Sequence, residues 1–392
     1  MLSVLRVARK SLGHLAAAAA ALVLAACTDL GTPSASGPTI DTSAPVPVAL
    51  LVPGGSGQPS DELLARSLEN AARLAIADLG GVQIDLRVYN TAGSPAQAQA
   101  MAVQAVAEGA KIILGPVYAQ EANAAGLAVA AAGVNVLAFS NNPDIAGGNV
   151  YVLGPTFDNT ARRLGAYAVR QGKGQVMIIQ DQTTAGDLGR AAIERGVAAA
   201  GGAVVAVGSY EFSQNGVVGA VPGLVAKAKS SGATAVFLTA DTAGALPLIT
   251  QLLAESGLDP AATRYIGLTR WDIPTGTVDL PGLQGGWFAL PDPGLYQTYR
   301  AHYLAAYGEE PHPISGLAYD GIAAIGALIR QGNSKALSAS GLTQGAGFVG
   351  VNGIFRLRAD GTNERGLAVA QVQNRQLVII DPAPRNFSGA GF

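Results

Sequence analysis

From Val46 onward the chain alternates short apolar runs with longer amphipathic ones. The first run, Val48-Ala49-Leu50-Leu51-Val52, predicts a buried strand, and the turn Pro53-Gly54-Gly55-Ser56-Gly57 follows it. A helix is predicted from about Ser60. Asp61 and Glu62 fall in its first turn, where the helix dipole favours anions. Leu64, Leu68, Ala71, Ala72, Ala75, Ile76 and Leu79 recur at helical spacing and define one buried face. The same reasoning gives strands over 84–89, 111–114 and 134–139, with helices over 95–107 and 121–132 between them. The pattern restarts after Gly154-Pro155. Helices over 159–170, 189–200, 221–230 and 244–255 alternate with strands over 176–179, 204–207, 235–238 and 265–268. After the apolar run 287–290 come helices over 293–307 and 315–330, then short strands over 353–357, 367–372 and 377–380. The turns Ala359-Asp360-Gly361 and Asn374-Arg375 suit antiparallel pairing of these last strands.

Strand-helix alternation of this kind implies a parallel sheet with helices on both faces. Two such units imply an α/β protein of two doubly wound parallel-sheet lobes with a central cleft. Ligands of such sheets sit outside the carboxyl ends of the strands. The candidate cleft residues are therefore Gly55 and Ser56 after the first strand, Tyr118, Ala119 and Gln120 after the third, and Ser140, Asn141 and Asn142 after the fourth. Thr184, Asp241, Thr242 and the cluster Thr269-Arg270-Trp271-Asp272 occupy comparable positions in the second unit, and Tyr319 opens a later helical face. Each has a structural alternative. The glycine-rich turn lacks the Lys-Ser/Thr of a P-loop, and is either an anion-binding helix entrance or a flexible connection. Asp241 is either a cleft wall or a helix cap. Trp271 and Arg270 are either ligand anchors or a plug beside an Arg270–Asp272 ion pair. Tyr319-Asp320 is either a ligand contact or a lobe-closing pair.

The first residues follow a different grammar. Arg6, Arg9 and Lys10 precede an apolar stretch from Leu15 to Val23, and small residues lead to Cys27. This is the layout of a secretory signal peptide, and the apolar run is too short to span a bilayer. Leu24-Ala25-Ala26-Cys27 resembles the lipobox of bacterial lipoproteins. That resemblance implies a lipid on the Cys27 thiol, a periplasmic location, and the outer membrane over the inner, because Thr28 stands where an aspartate would favour retention. Residues 27–45 are expected to form a flexible tether, rich in Gly, Ser, Thr and Pro. At about 3.1 Å per residue it would reach about 55 Å. The expected organisation is thus a leader over 1–26, a tether over 27–45, and one lobe over 46–154 with about 290–332. The other lobe takes 155–289 with about 345–382, and 383–392 form a tail.

Composition removes several classes of function. Charged residues make up 13% and the net charge is −2, which leaves no basic surface for nucleic acid. Cys27 is the only cysteine, so a body lipidated there has no thiol for a disulfide or a nucleophile. Three histidines are present, and His302 and His312 lack the spacing of a metal site. No Gly-x-Ser-x-Gly elbow occurs. A non-catalytic protein without cofactor or metal is expected.

Several dispersed segments carry a family resemblance from Val46 to Pro382. They are Ser67-Leu68-Glu69-Asn70-Ala71-Ala72-Arg73-Leu74-Ala75, Ile113-Leu114-Gly115-Pro116, Gly133 to Ser140, Ala318-Tyr319-Asp320-Gly321 and Gly350-Val351-Asn352-Gly353-Ile354-Phe355. In order and spacing the chain resembles a type I periplasmic binding protein of the leucine/isoleucine/valine-binding branch. The resemblance implies an amino-acid carboxylate held after the third and fourth strands, and an ammonium held by an acid after a second-lobe strand. At that acid position this chain has Thr269 or Arg270, with Asp272 only nearby, and a buried ammonium without a carboxylate would be costly. The chain also resembles penicillin-binding protein activators, lipoproteins with this fold that dock on a peptidoglycan synthase. That likeness implies a regulator of cell-wall synthesis. The alternative is an ABC-importer receptor for branched-chain amino acids or amide-like solutes.

Overall fold

The computed structural model describes residues 37–387. Its first sheet contains β1 (Val46–Val52), β2 (Ile84–Asn90), β3 (Ile112–Leu114), β4 (Asn135–Ala138) and β5 (Val150–Val152). They lie in the order β2-β1-β3-β4-β5, and all pairings are parallel. Helices α1 (Pro59–Asp78), α2 (Pro95–Ala107) and α3 (Ala119–Val129) connect them. β1 shows why both faces are covered: Val48, Leu50 and Val52 face a core shared with α1, whereas Ala49 and Leu51 face α2 and α3. The second of these cores is built largely of alanine, including Ala102, Ala105, Ala122 and Ala125, so α2 and α3 lie close to the strands.

The second lobe repeats the order. Its strands are β6 (Gln175–Asp181), β7 (Ala203–Tyr210), β8 (Ala235–Leu238), β9 (Arg264–Gly267) and β10 (Trp287–Leu290). The sheet reads β7-β6-β8-β9-β10, with parallel pairing throughout that part. Helices α4 (Phe157–Arg170) and α5 (Thr184–Ala199) cover one face, and α6 (Gln214–Ser230) and α7 (Leu246–Glu255) the other. α4 and α5 meet through glycines. A Cβ on Gly165 would stand 2.9 Å from the Gly196 carbonyl oxygen, which no larger residue tolerates at that backbone separation.

After β10, α8 (Pro293–Tyr307) and α9 (Gly316–Arg330) return to the first lobe, followed by the short α10 (Ala339–Leu342). β11 (Phe348–Gly350), β12 (Gly353–Leu357) and β13 (Asn363–Arg365) form a separate antiparallel sheet. β14 (Ala368–Gln373) and β15 (Gln376–Asp381) extend the second sheet antiparallel to β10, and their turn is Asn374-Arg375, both at positive φ. Phe348, Phe355 and Leu357 are buried in the first-lobe core, and Leu367 and Val369 in the second. The expected assignment of everything from about 345 to the second lobe is therefore corrected. The apolar faces of β11 and β12 match α9, and the chain crosses over only after β12.

The expected tether is corrected too. Ile40 is buried in the first-lobe core and its N–H donates to the Ser334 carbonyl at 2.8 Å. Residues 37–45 thus belong to the folded body. Cys27 and the leader lie outside the described residues.

Three crossings join the lobes, and a buried polar node ties them together. Asp320 on α9 accepts from Arg365 Nη1 at 3.0 Å and from Asn352 Nδ2 at 3.1 Å. Arg365 Nε donates to the Leu153 carbonyl on the first crossing at 2.7 Å, and Asn363 donates to the carbonyls of Val152 and Gly154. Asp320 and Arg365 are both buried, and each is the counter-charge of the other.

Candidate functional site

In each sheet the strand order reverses beside the first strand, between β1 and β3 and between β6 and β8. Such switch points open a crevice at the strand carboxyl ends. The loops there are the places for a site.

At the first-lobe switch point the residues are acidic and self-paired. The N–H of Gly55 (φ +82°) donates to Glu62 Oε1 at 2.7 Å, so the donor that the anion-binding alternative would use is taken by the protein's own carboxylate. Ser56 Oγ accepts from Gln58 N–H. The exposed Tyr118 hydroxyl donates to Asp61 Oδ1 at 2.6 Å; this bond, aided by burial, pushes its pKa up to about 12. Ala119 begins α3 and Gln120 is exposed on it. Next to them, Glu121 is 1% exposed and its Oε2 accepts from Thr91 Oγ1 at 3.0 Å, while its Oε1 has no partner. Burial raises the Glu121 pKa to about 7; the Thr91 bond opposes this and the nearby Asp61 adds to it.

After β4, Ser140 is buried and its Oγ accepts from Asn142 N–H at 3.1 Å, while Asn142 Oδ1 accepts from Asp144 N–H at 2.9 Å. These two side chains shape the loop. Asn141 is exposed.

In the second lobe, Thr184 is exposed at the start of α5, whose cap is Thr183. Asp241 Oδ1 accepts from Gly244 N–H at 2.6 Å and closes a turn ahead of α7, which begins only at Leu246. Thr242 Oγ1 donates to the Ile273 carbonyl and Thr269 Oγ1 to that of Ala240, stitching the β8 and β9 loops together. Trp271 is corrected as a cleft contact: it is fully buried in the second-lobe core, tilted against Phe288 at 5.9 Å. Gly267 and Gly286 leave the room its indole fills. Arg270 is paired with Asp272 through Nε and Nη2. Tyr319 is corrected as well. Its hydroxyl donates to Asp78 Oδ2 at 2.7 Å, and it lines a different hollow, together with His302, Phe348 and Val351.

A cavity of about 550 Å³ lies where the second lobe meets α8 and the loop after it. Arg270, Asp272, Ile273 and Leu290 line it from the second lobe, and Tyr296, Arg300 and Glu310 from α8 and the loop after it. Arg300 pairs with Glu310 as Arg270 does with Asp272. Sequence reasoning brought out Arg270 and Asp272 but not Tyr296, Arg300, Glu310 or Glu121. Arg300 and Glu310 stand ten positions apart, and only the turn after α8 brings them together. Glu121 carries a weak signal, as the one acidic side chain in an Ala-rich helix otherwise read as packing.

Two doubly wound lobes, three crossings and a cavity between them define a two-lobed binding protein. The chain belongs to the periplasmic binding protein family, whose model, described as Periplasmic binding protein, matches residues 45–376. No curated protein matches the chain. Among solved structures, a putative branched-chain amino acid ABC transporter from Rhodospirillum rubrum is 18% identical, with 86% of this chain and 100% of that one covered and a TM-score of 0.72. An ABC transporter substrate-binding protein from Desulfitobacterium hafniense, in complex with Leu, is 19% identical, with 86% and 100% covered and a TM-score of 0.63. A solute-binding protein of an ABC transporter from Rhodopseudomonas palustris BisB5, in complex with 3,4-dihydroxy benzoic acid, is 19% identical, with 86% and 96% covered and a TM-score of 0.59.

Proposed function

We propose that this protein is the solute-binding component of an ABC importer and captures a small carboxylate-bearing solute between its lobes. The observation that carries the reading is the interlobe cavity. Arg270 and Arg300 both line it, and each is gripped by its acid through Nε and Nη2. Nη1 of each makes no hydrogen bond to a described residue. A guanidinium fixed in this way keeps donors of defined direction for a ligand carboxylate. Tyr296, Ile273 and Leu290 supply apolar wall for hydrocarbon or a ring. The matched structures are transporter components, with Leu or an aromatic acid bound in two of them, which favours an importer receptor over a synthase regulator.

Periplasmic residence follows from the family, and we extend the proposal to a lipid on Cys27. The test is calorimetric titration of the mature chain with leucine, isoleucine, valine, benzoate and 3,4-dihydroxybenzoate. At least one should bind, and Arg270→Gln should weaken it about tenfold or more, the worth of a charge-assisted hydrogen bond. Binding of none, or binding indifferent to both Arg270→Gln and Arg300→Gln, would remove the reading.

A further inference from the structure

Another hollow, apart from the cavity lined by Arg270 and Arg300, lies on the junction of the lobes and has a volume of about 360 Å³. Arg162 on α4 and Arg195 on α5 line it from the second lobe, and Arg358 and Asp360 from the segment joining β12 to β13. That segment is tied to the first lobe, because the Val152 N–H on β5 donates to the Gly361 carbonyl at 2.9 Å. Asp360 Oδ1 closes the segment's turn, accepting from the Thr362 N–H at 2.9 Å and its hydroxyl at 2.6 Å.

The charges around this hollow do not balance. Arg162 Nη1 donates to Glu364 Oε1 at 2.7 Å, and Arg356 and Arg358 bond to the same carboxylate. Glu364 is 5% exposed, so one buried acid serves three arginines. Arg195 Nε donates to Asp158 Oδ1 at 2.9 Å. Arg162, Arg195, Arg356 and Arg358 thus meet Asp158, Asp360 and Glu364, which leaves one cation in excess. Donors are in excess as well. Arg162 engages only through Nη1 and Arg358 only through Nη2, and Nη1 of Arg195 makes no hydrogen bond to a described residue. Thr156, in the same wall and 3% exposed, accepts from the N–H and Nδ2 of Asn159. Its own hydroxyl proton has no acceptor among the described residues, and a buried donor without an acceptor is destabilising.

We propose that this hollow binds a tetrahedral oxyanion, phosphate or sulfate. Such an ion only accepts, and a guanidinium fork matches two of its oxygens at once. The donors approach from α4, from α5 and from the β12–β13 segment, and a tetrahedral ion presents an oxygen to each. Because these donors stand on both lobes, the ion bridges the junction. The inference is independent of the solute-binding reading.

The experiment is calorimetric titration of the mature chain with sodium phosphate and with sodium sulfate, against sodium chloride at matched ionic strength. At least one of the two oxyanions should bind saturably. Arg195→Gln and Arg358→Gln should each weaken that binding about tenfold or more, the worth of a charge-assisted hydrogen bond. Arg195 is well exposed, and Arg358→Gln leaves Glu364 with Arg162 and Arg356, so both variants keep the fold, which an unchanged circular dichroism spectrum checks. Arg190→Gln, which removes another exposed arginine of α5 outside the hollow, should leave the affinity unchanged. Oxyanion binding no stronger than that of chloride, or binding that survives in both Arg195→Gln and Arg358→Gln, would overturn the inference. An equal loss in Arg190→Gln would show a general effect of charge and overturn it likewise.

Discussion

At Glu121 burial and the neighbouring Asp61 act in the same direction, and the Thr91 bond does not offset them. The folded pKa of about 7 lies above the ordinary glutamate value of 4.5, so between these values the folded state holds a proton that the unfolded chain gives up. Stability from this site is present at low pH and is lost as pH rises through about 7. Glu121→Gln carries no such penalty. Its melting temperature relative to wild type should therefore increase between pH 5 and pH 8, by roughly 2–4 °C for each kcal/mol recovered. A constant difference across that range would mean that the carboxyl ionises normally. Trp271 is a second residue whose role the sequence left open. Trp and Arg side by side suggest a binding anchor, but adjacent residues of an irregular loop point in different directions: Arg270 to the interlobe cavity, Trp271 into the core. Trp271→Ala should cost about 3–5 kcal/mol by chemical denaturation. Arg270→Gln, whose ion pair is partly solvated, should cost no more than about 1 kcal/mol.

At the scale of elements, most helices and long strands were legible because apolar spacing alone defines them. The strand over 235–238 and the helices over 95–107 and 293–307 are found where that spacing predicts. β5, β11 and β13 were not legible. Each has three residues and, unlike the equally short β3, was not picked out as an apolar run between two predicted helices; each is held by the ladder of a neighbouring strand. The site was legible only as loops at strand ends, since the partners of those loops come from distant sequence. The hinge node tests how firmly the elements are coupled. Asp320→Ala leaves Arg365 buried without its counter-charge and should cost about 3–5 kcal/mol. Gly196→Ala should cost about 1–3 kcal/mol, because the added methyl meets the α4 backbone at Ala161 and cannot rotate away. Denaturant midpoints measure both. A neutral result at Gly196 would mean that the α4–α5 contact is looser than its geometry implies.

At the scale of the whole molecule, the proposed anchor is the feature to test. Among the described residues no helix is long and apolar enough to cross a membrane. The anchoring proposal therefore rests on the Leu24-Ala25-Ala26-Cys27 run. Residence in the outer membrane would count against direct delivery to an inner-membrane permease, which makes the anchor's location informative about function. Cys27→Ser should abolish labelling by a radioactive fatty acid and leave either a released protein or an uncleaved precursor. Sucrose-gradient fractionation of the wild type then assigns the membrane. Unchanged membrane association and processing in Cys27→Ser would show that the chain is held by something other than a lipid on that thiol.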